Sequence, residues 1–117
     1  MMLQFTKLPL GAGMAALAIK GNIHCGPECA RLEREVEGMI AASEIRVIFD
    51  MAGVTHADSA AIGSIVRCLT KLKRCGGGLR IAAPQPMIDY SLKLTKVDRV
   101  IEIFPSVEQA SQGFASA

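Results

Sequence analysis

Asp58 and Ser59 combine a helix-capping carboxylate with an adjacent hydroxyl, at the head of a segment whose apolar residues recur with helical spacing. An aspartate at this point accepts hydrogen bonds from the free N–H groups of the first turn. Ser59 then falls at the first helical position, followed by the small residues Ala60, Ala61 and Gly63. A hydroxyl placed there is approachable, and the N–H groups and positive dipole end of the helix favour an added anion. A phosphate on Ser59 would add a charge of about −1.5 to −2 to a small, nearly neutral surface formed by Ser59, Ala60, Gly63 and Ser64, with Arg67 beyond it. A partner packed on that surface would be expelled. The plainer alternative is a capped helix start carrying an ordinary first-turn serine, and the residues alone leave both readings open.

Other reactive side chains form weaker patterns. His24-Cys25-Gly26-Pro27-Glu28-Cys29 resembles a redox Cys-Gly-Pro-Cys motif with one residue too many. The insertion turns the second sulfur by about 100° around a helix, and Glu28 disfavours a nearby thiolate. The same His24, Cys25 and Cys29 give zinc three ligands with no evident fourth, so no metal or other cofactor is expected. Cys68 and Cys75 lie seven residues apart on one predicted helix, about 10 Å along its axis and beyond disulfide reach, so they read as buried or inert thiols. His56 could activate a serine, but no nucleophile elbow or oxyanion hole surrounds it. Arg67, Lys71 and Arg74 share a helix face that suits an acidic partner or phosphate, and suits equally a solvated C-terminal end. These patterns favour a binding module over an enzyme.

The elements that must position Ser59 follow from periodicity. Gln4 to Leu10 and Met14 to Ile23 read as two strands joined through Gly11-Ala12-Gly13. Gly26-Pro27-Glu28 reads as a helix start, with Cys29, Leu32, Val36, Met39 and Ile40 forming its inward stripe. Arg46 to Met51, holding Val47-Ile48-Phe49, is apolar on consecutive positions, as in a strand covered on both faces. The strand is expected to end there, with a loop climbing over its C-terminal edge to Asp58. A second helix is predicted from about Ser59 to Arg74, with a stripe of Ile62, Ile65, Val66, Leu69 and Leu72 and a stop at Gly76-Gly77-Gly78. Leu79 to Ala83, a helix through Ile88, Ser91, Leu92 and Thr95, a strand Ile101 to Phe104 and a short helix from Ser106 complete the alternation. The whole reads as an α/β fold with a mostly parallel central sheet, an N-terminal hairpin and about four flanking helices. In open sheets of this kind, the C-terminal strand edge is where ligands and partners bind.

With 117 residues the chain is expected to form a single domain over 1–117. Hydrophobic residues make up 50% and aromatics 4%, so the core must be aliphatic. A net charge of +2, without aromatics interleaved among the basic residues, points away from nucleic acid. The stretch from Lys7 to Ile19 superficially resembles a secretory leader, but Pro9, Gly11 and Gly13 interrupt it and the strand-like alternation continues beyond. No run approaches the roughly 20 apolar residues that cross a bilayer, and a cytoplasmic location is expected.

Taken together, these segments resemble the STAS family (sulfate transporter and anti-sigma factor antagonist) over about residues 4 to 115. The family's apolar strand ending in Asp, short loop and Asp-Ser-Ser-Gly-Leu-Gly is matched by Phe49-Asp50, Asp58-Ser59 and Ile62-Gly63. The stretches Leu79-Arg80-Ile81-Ala82, Leu92 to Asp98 and Ile103-Phe104-Pro105-Ser106-Val107-Glu108-Gln109-Ala110 agree as well. The resemblance gives Asp50 a structural place in the motif. In bacterial members of the anti-sigma antagonist branch, a partner that is both anti-sigma factor and serine kinase phosphorylates the first serine of the motif. Ser59 stands at that position. The resemblance implies that the unmodified chain sequesters the kinase and frees a sigma factor, that phosphorylation releases the kinase, and that a phosphatase resets the cycle. Asp58, Ser59, Ala60, Gly63, Ser64 and Arg67 would form the contact. The departure is Ala60-Ala61 in place of Ser-Gly, which keeps the side chains small but removes a hydroxyl and a flexible backbone position. Related domains share the fold in transporter and stress-signalling assemblies, and the alternative that the resemblance carries is a scaffold subunit of such a complex, not controlled by phosphorylation.

Overall fold

The computed structural model describes residues 3–24 and 26–114. Strands β1 (Gln4–Gly11) and β2 (Met14–Ile23) form an antiparallel hairpin. Helix α1 (Pro27–Ala41), strand β3 (Arg46–Ala57), helix α2 (Ser59–Arg74), strand β4 (Gly78–Ala82), helix α3 (Pro86–Leu94), a 3-10 turn at Val97–Arg99, strand β5 (Ile103–Phe104) and helix α4 (Val107–Ser111) follow. The five strands lie in the order β1-β2-β3-β4-β5, and every pairing after the hairpin is parallel. This is the α/β arrangement that the alternating periodicity predicts.

The two faces of the sheet are covered unequally. On one, Leu17, Ile19, Val47, Phe49 and Ile81 pack against Leu32 and Val36 of α1, Ile65, Cys68 and Leu72 of α2, and Ile88 and Leu92 of α3. Each such aliphatic or aromatic side chain, once fully buried, contributes about 2 kcal/mol. On the other face Met14, Ala16, Ile48 and Ala82 meet Ala110 of α4 and Phe114, with Leu10, Phe104 and Val107 packed at the margin. There Arg80 lies 5.2 Å from the Phe104 ring centroid and 4.4 Å from that of Phe114. Its guanidinium donates to the carbonyls of Ala110 and Gln112, which fastens the chain's last turn to the sheet.

The β3 strand runs six residues past the predicted end at Met51, and no loop climbs over the sheet edge. Its partner β4 ends at Ala82, opposite Asp50. The longer β2 continues, pairing Lys20 with Gly53, Gly21 with Val54, Asn22 with His56 and Ile23 with Ala57 across two register shifts. Val54 is fully buried by this extension. Gly53 lets the strands approach, since a Cβ there would stand 3.2 Å from the Ile19 carbonyl oxygen. The turn after α2 is tighter still: a Cβ on Gly77 would lie 1.9 Å from the Ile45 carbonyl oxygen, so only glycine passes. Smaller differences concern the ends of β4 and β5. Ala83 adopts a left-handed φ of 55° and turns the chain out of the sheet before Pro84, and Ile101 is buried ahead of a two-residue β5.

Candidate functional site

The extension of β3 delivers the chain directly to α2. The Asp58 N–H donates to the Ile23 carbonyl at 3.3 Å, which ends the β2–β3 pairing, and its own carbonyl accepts from Ile62 N–H at 3.1 Å, which begins the helix. Its carboxylate Oδ1 accepts from the Ala61 N–H at 2.8 Å, with the backbone extended at φ −84° and ψ 179°. Asp58 is therefore the N-cap that its residue type predicts. Below it, Asp50 Oδ1 accepts from Ala52 N–H at 3.1 Å, and Gln85 Nε2 donates to the Ala52 carbonyl at 2.9 Å, joining the start of α3 to the same strand.

Ser59 is the first residue of α2 and is exposed; Ala60 and Gly63 are half-buried. Ser59, Gly63 and Arg67 recur every four residues and line one side of the helix. Ala61 is fully buried, so one of the two departures from the family motif lies in the core rather than on the contact surface.

Ser64 corrects the sequence reading. It is 0% exposed and is not part of the accessible surface. One residue beyond Gly63, it is turned by about 100° around the helix and faces α1. Its hydroxyl lies 3.3 Å from the Cys29 carbonyl and 2.8 Å from Glu33 Oε2. The basic face of α2 likewise finds its acidic partner within the chain. Arg67 Nε donates to Glu33 Oε2 at 3.2 Å, Lys71 Nζ stands 3.7 Å from Glu33 Oε1, and Lys71 also pairs with Glu37. Spacing alone could have suggested this: Glu33 and Glu37 lie four apart on α1, as Arg67 and Lys71 do on α2.

Burial pushes the Glu33 carboxyl up, but the hydrogen bonds from Ser64 and Arg67 and the charges of Arg67 and Lys71 outweigh it and leave the group below its ordinary value. The adjacent Cys68 thiol is pushed up to about 12, chiefly by burial and secondly by the Glu33 charge. It is an inert core group, as expected, whereas Cys75, read with it as a buried or inert thiol of the same helix, stands exposed at the C-cap just past α2.

The remaining candidates lie apart from Ser59 chemically. His56 Nδ1 is 3.2 Å from Asn22 Oδ1, and among the described residues no hydrogen bond joins it to Ser59. Cys29 is buried, with its sulfur 3.2 Å from the His24 carbonyl. Cys25 lies outside the described residues. Among those described, no three His, Cys, Asp or Glu side chains converge to hold a metal ion, and no helix is long and apolar enough to cross a membrane.

The STAS domain family model matches residues 13–110, and the chain belongs to that family. A Thermotoga maritima protein named as a candidate anti-sigma factor antagonist is 25% identical over 67 residues, covering 57% of this chain and 59% of that protein. The chain thus matches under two thirds of the length of its curated relatives. Among solved structures, an anti-sigma factor antagonist from Mycobacterium paratuberculosis superposes with a TM-score of 0.82 at 18% identity, covering 97% of this chain and 95% of that one. The anti-sigma factor antagonist SpoIIAA in its unphosphorylated form gives 0.81 at 11% identity over 97% and 98%, and SpoIIAA of Bacillus in its phosphorylated form gives 0.70 at 11% over 92% and 96%. These likenesses establish the STAS fold.

Proposed function

We propose that this chain is a cytoplasmic anti-sigma factor antagonist, a binding module rather than an enzyme, switched by phosphorylation of Ser59. The observation that carries the reading is the exposed hydroxyl at the first position of α2, behind an Asp58 cap and beside the small residues Ala60 and Gly63. An anti-sigma factor that is also a serine kinase docks on Asp58, Ser59, Ala60, Gly63 and Arg67, and its capture frees a sigma factor. The kinase transfers the γ-phosphoryl group of ATP to Ser59 Oγ, which gives up its proton as ADP leaves. The product surface carries a dianion where the partner had packed closely, and the complex separates. A phosphatase hydrolyses the ester and restores the binder. The names of the relatives support the choice of partner, and a SpoIIAA structure in the phosphorylated form supports the choice of switch.

Incubation with the cognate kinase and ATP tests this, read by intact-mass and peptide mass spectrometry. One phosphate on Ser59, absent from Ser59→Ala, is expected. Modification elsewhere with Ser59 untouched would overturn the assignment.

A further inference from the structure

Arg67 is the first basic residue after Ser59 in α2, two turns along on the same side. Helical side chains lean toward the N-terminus, and Arg67 follows that rule: its Nη1 stands 3.6 Å from where a Cβ on Gly63 would lie. Because Gly63 has no side chain, nothing from that position fills the lane between the guanidinium and Ser59, whose Cβ lies one turn, about 6 Å, further on. The guanidinium's one hydrogen bond among the described residues uses Nε, toward Glu33. Both Nη groups are left for another acceptor, and the side chain is 57% exposed.

Two further observations bear on where this guanidinium goes. Asp58 already places a carboxylate on the N–H groups at the helix start, so the positive helix end is partly neutralised before any phosphate arrives. Glu33 does not depend on Arg67 alone, since Ser64 at 2.8 Å and Lys71 at 3.7 Å also hold it. Arg67 can leave without stranding a charge.

We propose that Arg67 is an internal phosphate acceptor: when Ser59 is phosphorylated, the Arg67 guanidinium swings from Glu33 across Gly63 onto the phosphate oxygens. The contact rests on the reading of Ser59 as the modified residue. It gives the switch a second component, because the modification then both adds a dianion and withdraws an arginine from the docking surface. A planar guanidinium suits the task, since it can meet two phosphate oxygens at once where an ammonium meets the group as a point charge.

The test installs phosphoserine at position 59 during synthesis, so that no kinase is needed, and follows the second phosphate ionisation by 31P NMR across pH. In the otherwise unaltered chain the midpoint is expected about 0.5 in pH below that of Arg67→Ala, with Arg67→Lys between them and the remote Lys73→Ala unchanged. Asp58 and His56 are the same in every variant, so their effect on the midpoint cancels. The Glu33 carboxyl, followed by 13C NMR, is expected to titrate at higher pH in the phosphorylated chain than in the unmodified one, by more than phosphorylation alone raises it in Arg67→Ala, because its arginine has left. Equal phosphate midpoints with and without Arg67, or a Glu33 rise no larger than in Arg67→Ala, would overturn the proposal. Those results would leave phosphorylation control itself intact, whereas a kinase that ignores Ser59 would sink that control and leave this contact measurable.

Discussion

The Ser64 hydroxyl donates to Glu33 Oε2 at 2.8 Å across the seam between α2 and α1. The same carboxylate oxygen receives Arg67 Nε at 3.2 Å, so one buried hydroxyl and one exposed guanidinium share an acceptor. That sharing ties α2 to α1 in the rotation that its buried stripe of Ala61, Ile65, Cys68 and Leu72 requires. With Ser64 turned toward α1, Ser59 is exposed and Gly63 half-buried on the neighbouring face, and Arg67 links that face to the same carboxylate.

Ser64→Ala removes a hydrogen bond to a charged group and is expected to cost about 2 kcal/mol in urea unfolding at pH 7. The pH dependence gives a sharper test. The folded-state pKa of Glu33 lies below its ordinary value of 4.5, so the group adds stability that is present above that value and is lost as pH falls through the folded value. The acid-side decline below about pH 4.5 is expected to be shallower in Ser64→Ala than in the parent. Identical declines would mean that the hydroxyl does not hold the carboxylate ionised.

Asp58→Ala removes the cap bond to Ala61 N–H and is expected to cost about 1 kcal/mol, a fall of about 4 °C in the thermal midpoint. Asp58→Asn keeps a side-chain acceptor and should lie within a few tenths of a kcal/mol of the parent. An Ala variant as stable as the parent would remove Asp58 from its role at the helix start.

Thiol reactivity follows burial. Cys75 is exposed, whereas Cys68 is buried with its pKa pushed up to about 12. Iodoacetamide at pH 8, followed by peptide mapping, should label Cys75 in the folded chain and Cys68 only after denaturation. Equal labelling of both without denaturant would contradict the packing of α2 on the sheet.

Local signals made α2 legible from end to end: an Asp58 cap, an apolar stripe through Leu72, and the glycines after Arg74 reproduce the observed span of Ser59–Arg74. The hairpin was equally plain from Gly11 and Gly13. The second half of β3 is not, because Ala52-Gly53 carries little strand propensity and the segment's strand pairing is a distant, bulged one with β2. The burial of Ser64 is hidden for a related reason. A small polar residue beside a glycine reads as surface, and the direction of α1 relative to α2 is not written in the local sequence. Of the surface expected around Ser59, the exposure of Ser59 and the small size of Ala60 and Gly63 could be read from residue type, but the Glu33 contact beside it joins residues 31 positions apart.

The central claim is tested most directly by isothermal titration of the cognate anti-sigma factor kinase into the unmodified chain and into chain carrying phosphate on Ser59, at one ionic strength. The unmodified chain should bind, and the phosphorylated chain should bind at least about 100-fold more weakly, a difference of about 2.7 kcal/mol. Equal affinities for the two forms would contradict a switch at Ser59.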